Sequence, residues 1–154
     1  MIRQVNEAAF GGAEEADLVE ALRTAEGLVL LSVVAELDGQ IVGHILFSRM
    51  TIETSTGSVA AVALAPLAVL PPYQRQGIGG RLIRHGLDRL QDLDERIVIV
   101  VGHANYYPRF GFSSEQARSL ESPFPRAVFM ALELSSGALD GIHGTVRYPP
   151  AFGI

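Results

Sequence analysis

The spacing of apolar residues changes character along the first half of the chain. Between Glu14 and Glu26, Ala16, Leu18, Val19, Ala21, Leu22 and Ala25 recur among charges at a rough helical period, with Gly27 placed to cap the end. Leu28–Leu37 is instead rich in Val and Leu. Asp38-Gly39 follows, and a second apolar run, Gln40–Thr54, comes straight after. Two such runs joined by Asp-Gly predict a β-hairpin. Val59–Val69 predicts a third strand. Its Pro66 lacks the N–H that a ladder needs, so a bulge or bend with lost pairing is expected there.

Further along, Arg81–Leu93 carries Ile83, Leu87 and Leu90 on one helical face, with Leu82 alongside. Ile97–Val101 is β-branched without alternation, the pattern of a strand covered on both faces. The aromatic segment His103–Phe112 has room for one helical stub. Phe129–Leu134 and Thr145–Tyr148 read as later strands. Helix, hairpin, strand, helix, strand, stub and strand make a mixed α/β sheet around a central β-α-β unit. No repeat, low-complexity tract or linker interrupts the order, so residues 1–154 are read as one domain.

Composition narrows the chemistry. Apolar residues make up 48% and charged residues 19%, enough to bury a core. The net charge of −5 argues against a broad surface for nucleic acid. There is no cysteine, which excludes disulfides, thiolate metal sites and an acyl-cysteine intermediate. All 12 cations are arginine, so Schiff-base lysine chemistry and a Walker lysine are excluded too. The histidines His44, His85 and His143 share no metal-ligand spacing, and no metal is expected. The N-terminus shows no leader-like apolar run, and the longest apolar stretch, Val59–Leu70, is too short to span a bilayer. The expectation is a soluble, cytoplasmic protein without membrane partners.

The most informative segment runs from Val69 through Pro71-Pro72-Tyr73-Gln74-Arg75-Gln76-Gly77-Ile78-Gly79-Gly80. A strand leads into a glycine-rich turn that opens a helix. Glycines let N–H groups converge, and a helix N-terminus adds partial positive charge, a combination suited to a pyrophosphate. Arg75, Arg81 and Arg84 lie between Tyr73 and Leu87 with no acidic residue among them, so the stretch favours an anion. It is not G-x-G-x-x-G, because the last position is Leu82, and no Lys-Ser/Thr pair makes it a P-loop. A turn that merely packs a helix close to a sheet is the competing explanation.

Gln74, Gly77 and Gly79 match the Q/R-x-x-G-x-G/A block of the GCN5-related N-acetyltransferase (GNAT) family, which this chain resembles. Leu67-Ala68-Val69-Leu70-Pro71 resembles the family's L-x-V-x-P strand exit. Tyr106-Tyr107-Pro108-Arg109-Phe110-Gly111-Phe112 resembles its F-Y-x-x-x-G-F segment, in the family's order and spacing. The resemblance covers roughly Val29 to Phe112, and the closing Tyr148-Pro149-Pro150-Ala151-Phe152 is similar to a predicted-acetyltransferase subgroup (YhbS-like).

The resemblance implies a mixed central sheet of about six to seven strands with flanking helices, in which the parallel strands Val59–Val69 and Ile97–Val101 splay apart. It implies acetyl-CoA as co-substrate, with backbone of Leu67, Ala68 and Val69 along the thioester and pantetheine. The loop Gln74, Arg75, Gln76, Gly77, Ile78, Gly79 and Gly80 would lie on the pyrophosphate, and Arg75 and Arg81 would reach phosphates. Without cysteine, the acetyl group would pass directly to a small-molecule or peptide amine. Tyr107 occupies the family's acid position and remains protonated at neutral pH. His103 is the candidate base, with Glu36 and Glu53 further options, because Ser58–Val69 holds no carboxylate and Val100 stands where many relatives have asparagine. A non-catalytic module that binds CoA or an acyl-CoA is the alternative, and an α/β domain with no nucleotide is a third. The apolar tail Tyr148–Ile154 suits packing on a second copy, and the acidic balance suits a cationic acceptor.

Overall fold

A computed structural model describes residues 1–25 and 27–154. At Asp38-Gly39 both residues have positive φ, 52° and 78°, the two-residue turn whose twist matches that of paired strands. It joins β1 (Val29–Leu37) to β2 (Gln40–Thr54) in antiparallel register from Leu37↔Gln40 to Val29↔Ser48. β3 (Gly57–Val69) follows, then α3 (Ile78–Asp92) and β4 (Ile97–Val101). The later strands are β5 (Leu120–Glu121), β6 (Phe129–Glu133) and β7 (Gly144–Arg147). Their order is β5-β7-β2-β3-β4-β6, with β1 also on β2, a seven-stranded mixed sheet. β3 pairs with β4, and β5 with β7, in parallel. The register of β3 on β4 runs Val62↔Val98 and Ala63↔Ile99, both ahead of Pro66.

Two helices precede the sheet strands, α1 (Ile2–Phe10) and α2 (Glu14–Thr24). The sequence pattern predicts α2 but not α1. α2 stops at Thr24, with Ala25 rather than Gly27 as its cap; the expected extension to Glu26 falls outside the described residues. Likewise α3 begins at Ile78, three positions before the start expected from its apolar face, and β5 has no local signal. No described helix is long and apolar enough to cross a membrane.

The chain divides into two compact units. The first comprises 1–48 and 64–88, and buries Val5, Ala16, Val19, Leu22, Ile45, Phe47 and Ile83. Within it Arg3 bridges α1 to α2 through Asp17 and Glu20, at 3.0 and 2.8 Å. The second comprises 49–63 and 89–154, with a core of Met50, Ile52, Ile97, Ile99, Leu120, Phe129 and neighbours. There Arg49 holds Glu95 through two parallel bonds of 2.9 and 2.6 Å and also donates to the Ala61 carbonyl. The tail ring Tyr148 packs edge-on to Phe124 and tilted against Phe152 in the same unit.

Candidate active site

In the first unit the glycine loop is built by three devices. Pro71–Tyr73 forms one 3-10 turn that carries the chain away from β3, whose end is still held by the Leu70 N–H on the Val42 carbonyl at 2.8 Å. The Gln74 side chain then folds back and donates Nε2–H to the Val69 carbonyl at 2.9 Å, while Gln76 Nε2–H reaches Pro72 O at 3.2 Å. Finally the backbone passes through the left-handed region twice, at Arg75 (φ 62°) and Gly77 (φ 86°). Gly77 is suited to that conformation and Arg75 is strained by it.

The helix that follows sits close to β2 because two glycines make room. A Cβ at Gly43 would stand 3.1 Å from Leu82 Cδ1 and 3.2 Å from Ile78 Cγ2, and one at Gly86 would overlap the Phe47 ring. Ile78 therefore turns its side chain to the sheet and leaves its N–H at the helix start. The Gly77 carbonyl takes the first helical bond, from Arg81 N–H at 3.1 Å. The N–H groups of Gly77, Ile78, Gly79 and Gly80 have no acceptor inside the helix. No acidic side chain stands in the first turn, so the positive end of the helix dipole is left uncompensated. Arg75 and Arg81 are exposed, and among the described residues neither forms an ion pair. At the end of β3, Ala68 is buried while Leu67 and Val69 are half-buried. The structure thus brings Gln74 to Arg81 into one turn hinged on Val69.

In the second unit β4 runs into the aromatic segment. The His103 carbonyl accepts the N–H groups of Tyr106 and Tyr107 at 3.1 and 3.3 Å, and a 3-10 turn covers Tyr107–Phe110. Tyr107 is 9% exposed, edge-to-face with Tyr106 at 5.2 Å and with Phe112 at 5.9 Å. Burial, reinforced by the neighbouring Tyr106, pushes its phenol up to about 12. Among the described residues its hydroxyl has no hydrogen-bond partner. The His103 side chain is exposed and makes no hydrogen bond or ion pair among the described residues. Glu36 is exposed on β1; Glu53, on β2, shares the single Ser58 hydroxyl hydrogen between its two carboxylate oxygens, each 2.9 Å from Oγ.

His44 is buried on β2, whereas His85 and His143 are exposed. No group of three or more acidic or histidine side chains among the described residues is arranged to hold a metal. The fold-back of Gln74 and the clearance at Gly43 and Gly86 go beyond the sequence reading. A glycine inside a strand or a helix is the one signal that marks such a close approach.

A family model described as an acetyltransferase (GNAT) domain matches residues 30–114. The uncharacterized N-acetyltransferase YjhQ of Escherichia coli K12 is 49% identical over 112 residues, 72% of this chain and 62% of YjhQ. The match therefore spans less than two thirds of that relative. The uncharacterized N-acetyltransferase YhbS of E. coli K12 is 32% identical over 93% of this chain and 86% of its own length. The crystal structure of E. coli YhbS in complex with CoA superposes with a TM-score of 0.91, covering 99% of this chain and 85% of that one. A GNAT family acetyltransferase from Brucella melitensis, in complex with acetyl-CoA, is 39% identical with a TM-score of 0.80, covering 98% and 89%.

Proposed function

The chain belongs to the GNAT acetyltransferase family, and from that premise we propose that it moves the acetyl group of acetyl-CoA directly onto a primary amine. The carrying observation is the start of α3. Four main-chain N–H groups lack helical acceptors, the first turn holds no acid, and Arg75 and Arg81 form no ion pair among the described residues. That donor set fits a diphosphate. The Gln74 bond to Val69 O fixes the loop relative to the end of β3, so backbone of Leu67, Ala68 and Val69 and amides of Gln76 to Gly80 serve the same elongated ligand. The relatives whose structures hold CoA and acetyl-CoA support this choice of ligand. When bound, acetyl-CoA supplies an activated thioester.

The chain's own groups then have limited, definable tasks. Cysteine is absent, so no side-chain thiol can carry the acyl group. Tyr107 keeps its proton throughout the working pH range, because burial pushes it up to about 12. A free thiol sits near 8.5, so full transfer from this phenol to a thiolate is uphill by about 5 kcal/mol. Tyr107 therefore acts as a hydrogen-bond donor that stabilises negative charge on the departing sulfur. His103, exposed at the end of β4, is the group assigned to take the proton of the attacking amine. The net charge of −5 favours a cationic acceptor by steering.

The test uses CoA-thiol release with spermidine, kanamycin and a peptide with a free N-terminus. A thiol reagent sees no background from a cysteine-free protein. We expect acetyl-CoA at 100 times its Kd to stabilise the fold by about 2.7 kcal/mol. Tyr107→Phe should lower kcat about 100-fold while KM for acetyl-CoA stays within about twofold. No thermal shift with CoA would overturn the loop reading. A thermal shift without turnover of any amine would favour a CoA-binding sensor.

A further inference from the structure

The Tyr107 ring lies against a residue that has no side chain. β4 ends at Val101, and Gly102 gives its N–H to the Val128 carbonyl at 3.0 Å, just ahead of β6. The next residue accepts the amides of Tyr106 and Tyr107, so the chain doubles back on the end of its own strand. The Tyr107 ring comes to rest on Gly102. A Cβ built there would overlap Tyr107 Cε2, stand 3.0 Å from Cδ2 and 3.4 Å from Cζ. Gly102 is not among the glycines in the left-handed region, so its backbone conformation is open to any residue. What keeps a side chain out is the ring.

Two other rings flank it. Tyr106 and Phe112 meet it edge-to-face, and Pro108 stiffens the chain directly after it. Cε2 is bonded to Cζ, which carries the hydroxyl, so a push on that edge is passed straight to the oxygen. Restoring an ordinary contact of about 3.5–4 Å would move the hydroxyl by about 1 Å.

We propose that Gly102 is a positioning residue, which by staying bare sets where the Tyr107 hydroxyl is held. The proposal rests on the assignment of Tyr107 as the donor to the departing sulfur. Hydrogen bonding falls off steeply with distance and angle, so a displacement of about 1 Å is enough to matter for kcat. The affinity for acetyl-CoA, carried by the glycine loop, does not depend on it.

The experiment is a pair of mutant cycles on the full-length protein. In the first, Gly102→Ala, Tyr107→Phe and the double variant are assayed with acetyl-CoA and the amine of the panel turned over fastest. Gly102→Ala should lower kcat about 10- to 100-fold with KM for acetyl-CoA held within about twofold, and should cost nothing further once Tyr107 is Phe. An equal loss in the Tyr107→Phe background would overturn the proposal. In the second, melting temperature and ¹⁹F spectra of 3-fluorotyrosine-labelled protein are read without any acceptor. Gly102→Ala should shift the Tyr107 resonance, identified by its loss in Tyr107→Phe. It should also lower the melting temperature in the wild type and be nearly neutral with Tyr107→Leu, which removes the ring. This arm holds even if Gly102→Ala alone folds poorly. An unmoved resonance, or equal destabilisation with Leu at 107, would refute the contact. A moved resonance with Tyr107→Phe fully active would instead sink the donor assignment of Tyr107.

Discussion

Acidification should destabilise this protein through one buried imidazole. His44, on β2, is fully buried beside Asn6 of α1, itself fully buried, and Ser32 of β1. The Asn6 amide nitrogen donates one hydrogen to Ile2 O at 3.1 Å and the other to His44 Nδ1 at 3.2 Å. An amide nitrogen only donates, so Nδ1 is the acceptor, and the proton sits on Nε2, which donates to Ser32 Oγ at 3.0 Å. A second proton would set Nδ1–H against the amide N–H. Flipping the amide to accept it would turn Asn6 Oδ1 onto the Ile2 carbonyl. Burial first, and then the charge of Arg23, push the imidazole from 6.5 down to about 4. With the folded value depressed, the unfolded chain takes up the proton first, so stability is intact above pH 6.5 and is lost as pH falls toward 4. The difference of about 2.5 units corresponds to about 3 kcal/mol in full, and about 2 kcal/mol at pH 5. For a domain of this size that is about 4–8 °C of melting temperature. The assay is urea unfolding of wild type and His44→Gln between pH 7.5 and 5; the difference between the two cancels the carboxylates common to both. The wild type should lose about 2 kcal/mol relative to the variant across that range. A difference between the two that stays constant with pH would refute the reasoning.

Two further outcomes follow from the geometry. Gly77→Ala places a side chain at φ 86° in open space, so its cost is confined to the backbone, about 1 kcal/mol. It should weaken CoA binding about tenfold by calorimetry, while Gly141→Ala, with φ 73° and equally open, should cost similar stability and leave CoA affinity unchanged. Arg49→Ala leaves Glu95, only 14% exposed, without its two bonds and should cost about 2–3 kcal/mol of unfolding free energy by urea titration, most of it recovered in Arg49→Leu/Glu95→Leu.

How much of this was legible depended on how local each signal was. Both ends of β2 are readable, because Asp38-Gly39 marks one and loss of apolar residues marks the other. The loop was legible because glycines at fixed offsets between a strand and a helix mark a turn through the left-handed region. α1 was hidden by its own burial pattern: the inward residues are Val5 and Asn6, and a buried asparagine breaks the apolar period that signals a helix. The early start of α3 was hidden because Gly79 and Gly80 are poor helix formers and add nothing to the apolar period. β5 is two residues long and exists only through its pairing with β7. Tyr107 could be named from its motif, but its reliance on Gly102 required the chain to fold back on itself, which no spacing encodes.

Neither compact unit is a continuous stretch of polypeptide. Residues 49–63 belong with 89–154, and residues 64–88 belong with 1–48, so the chain crosses from one to the other three times. No single cut by a protease can release either as an intact fragment, and no truncation yields one by itself. Loss of either terminus therefore removes part of a unit whose remaining residues are separated from it, along the sequence, by a segment of the other.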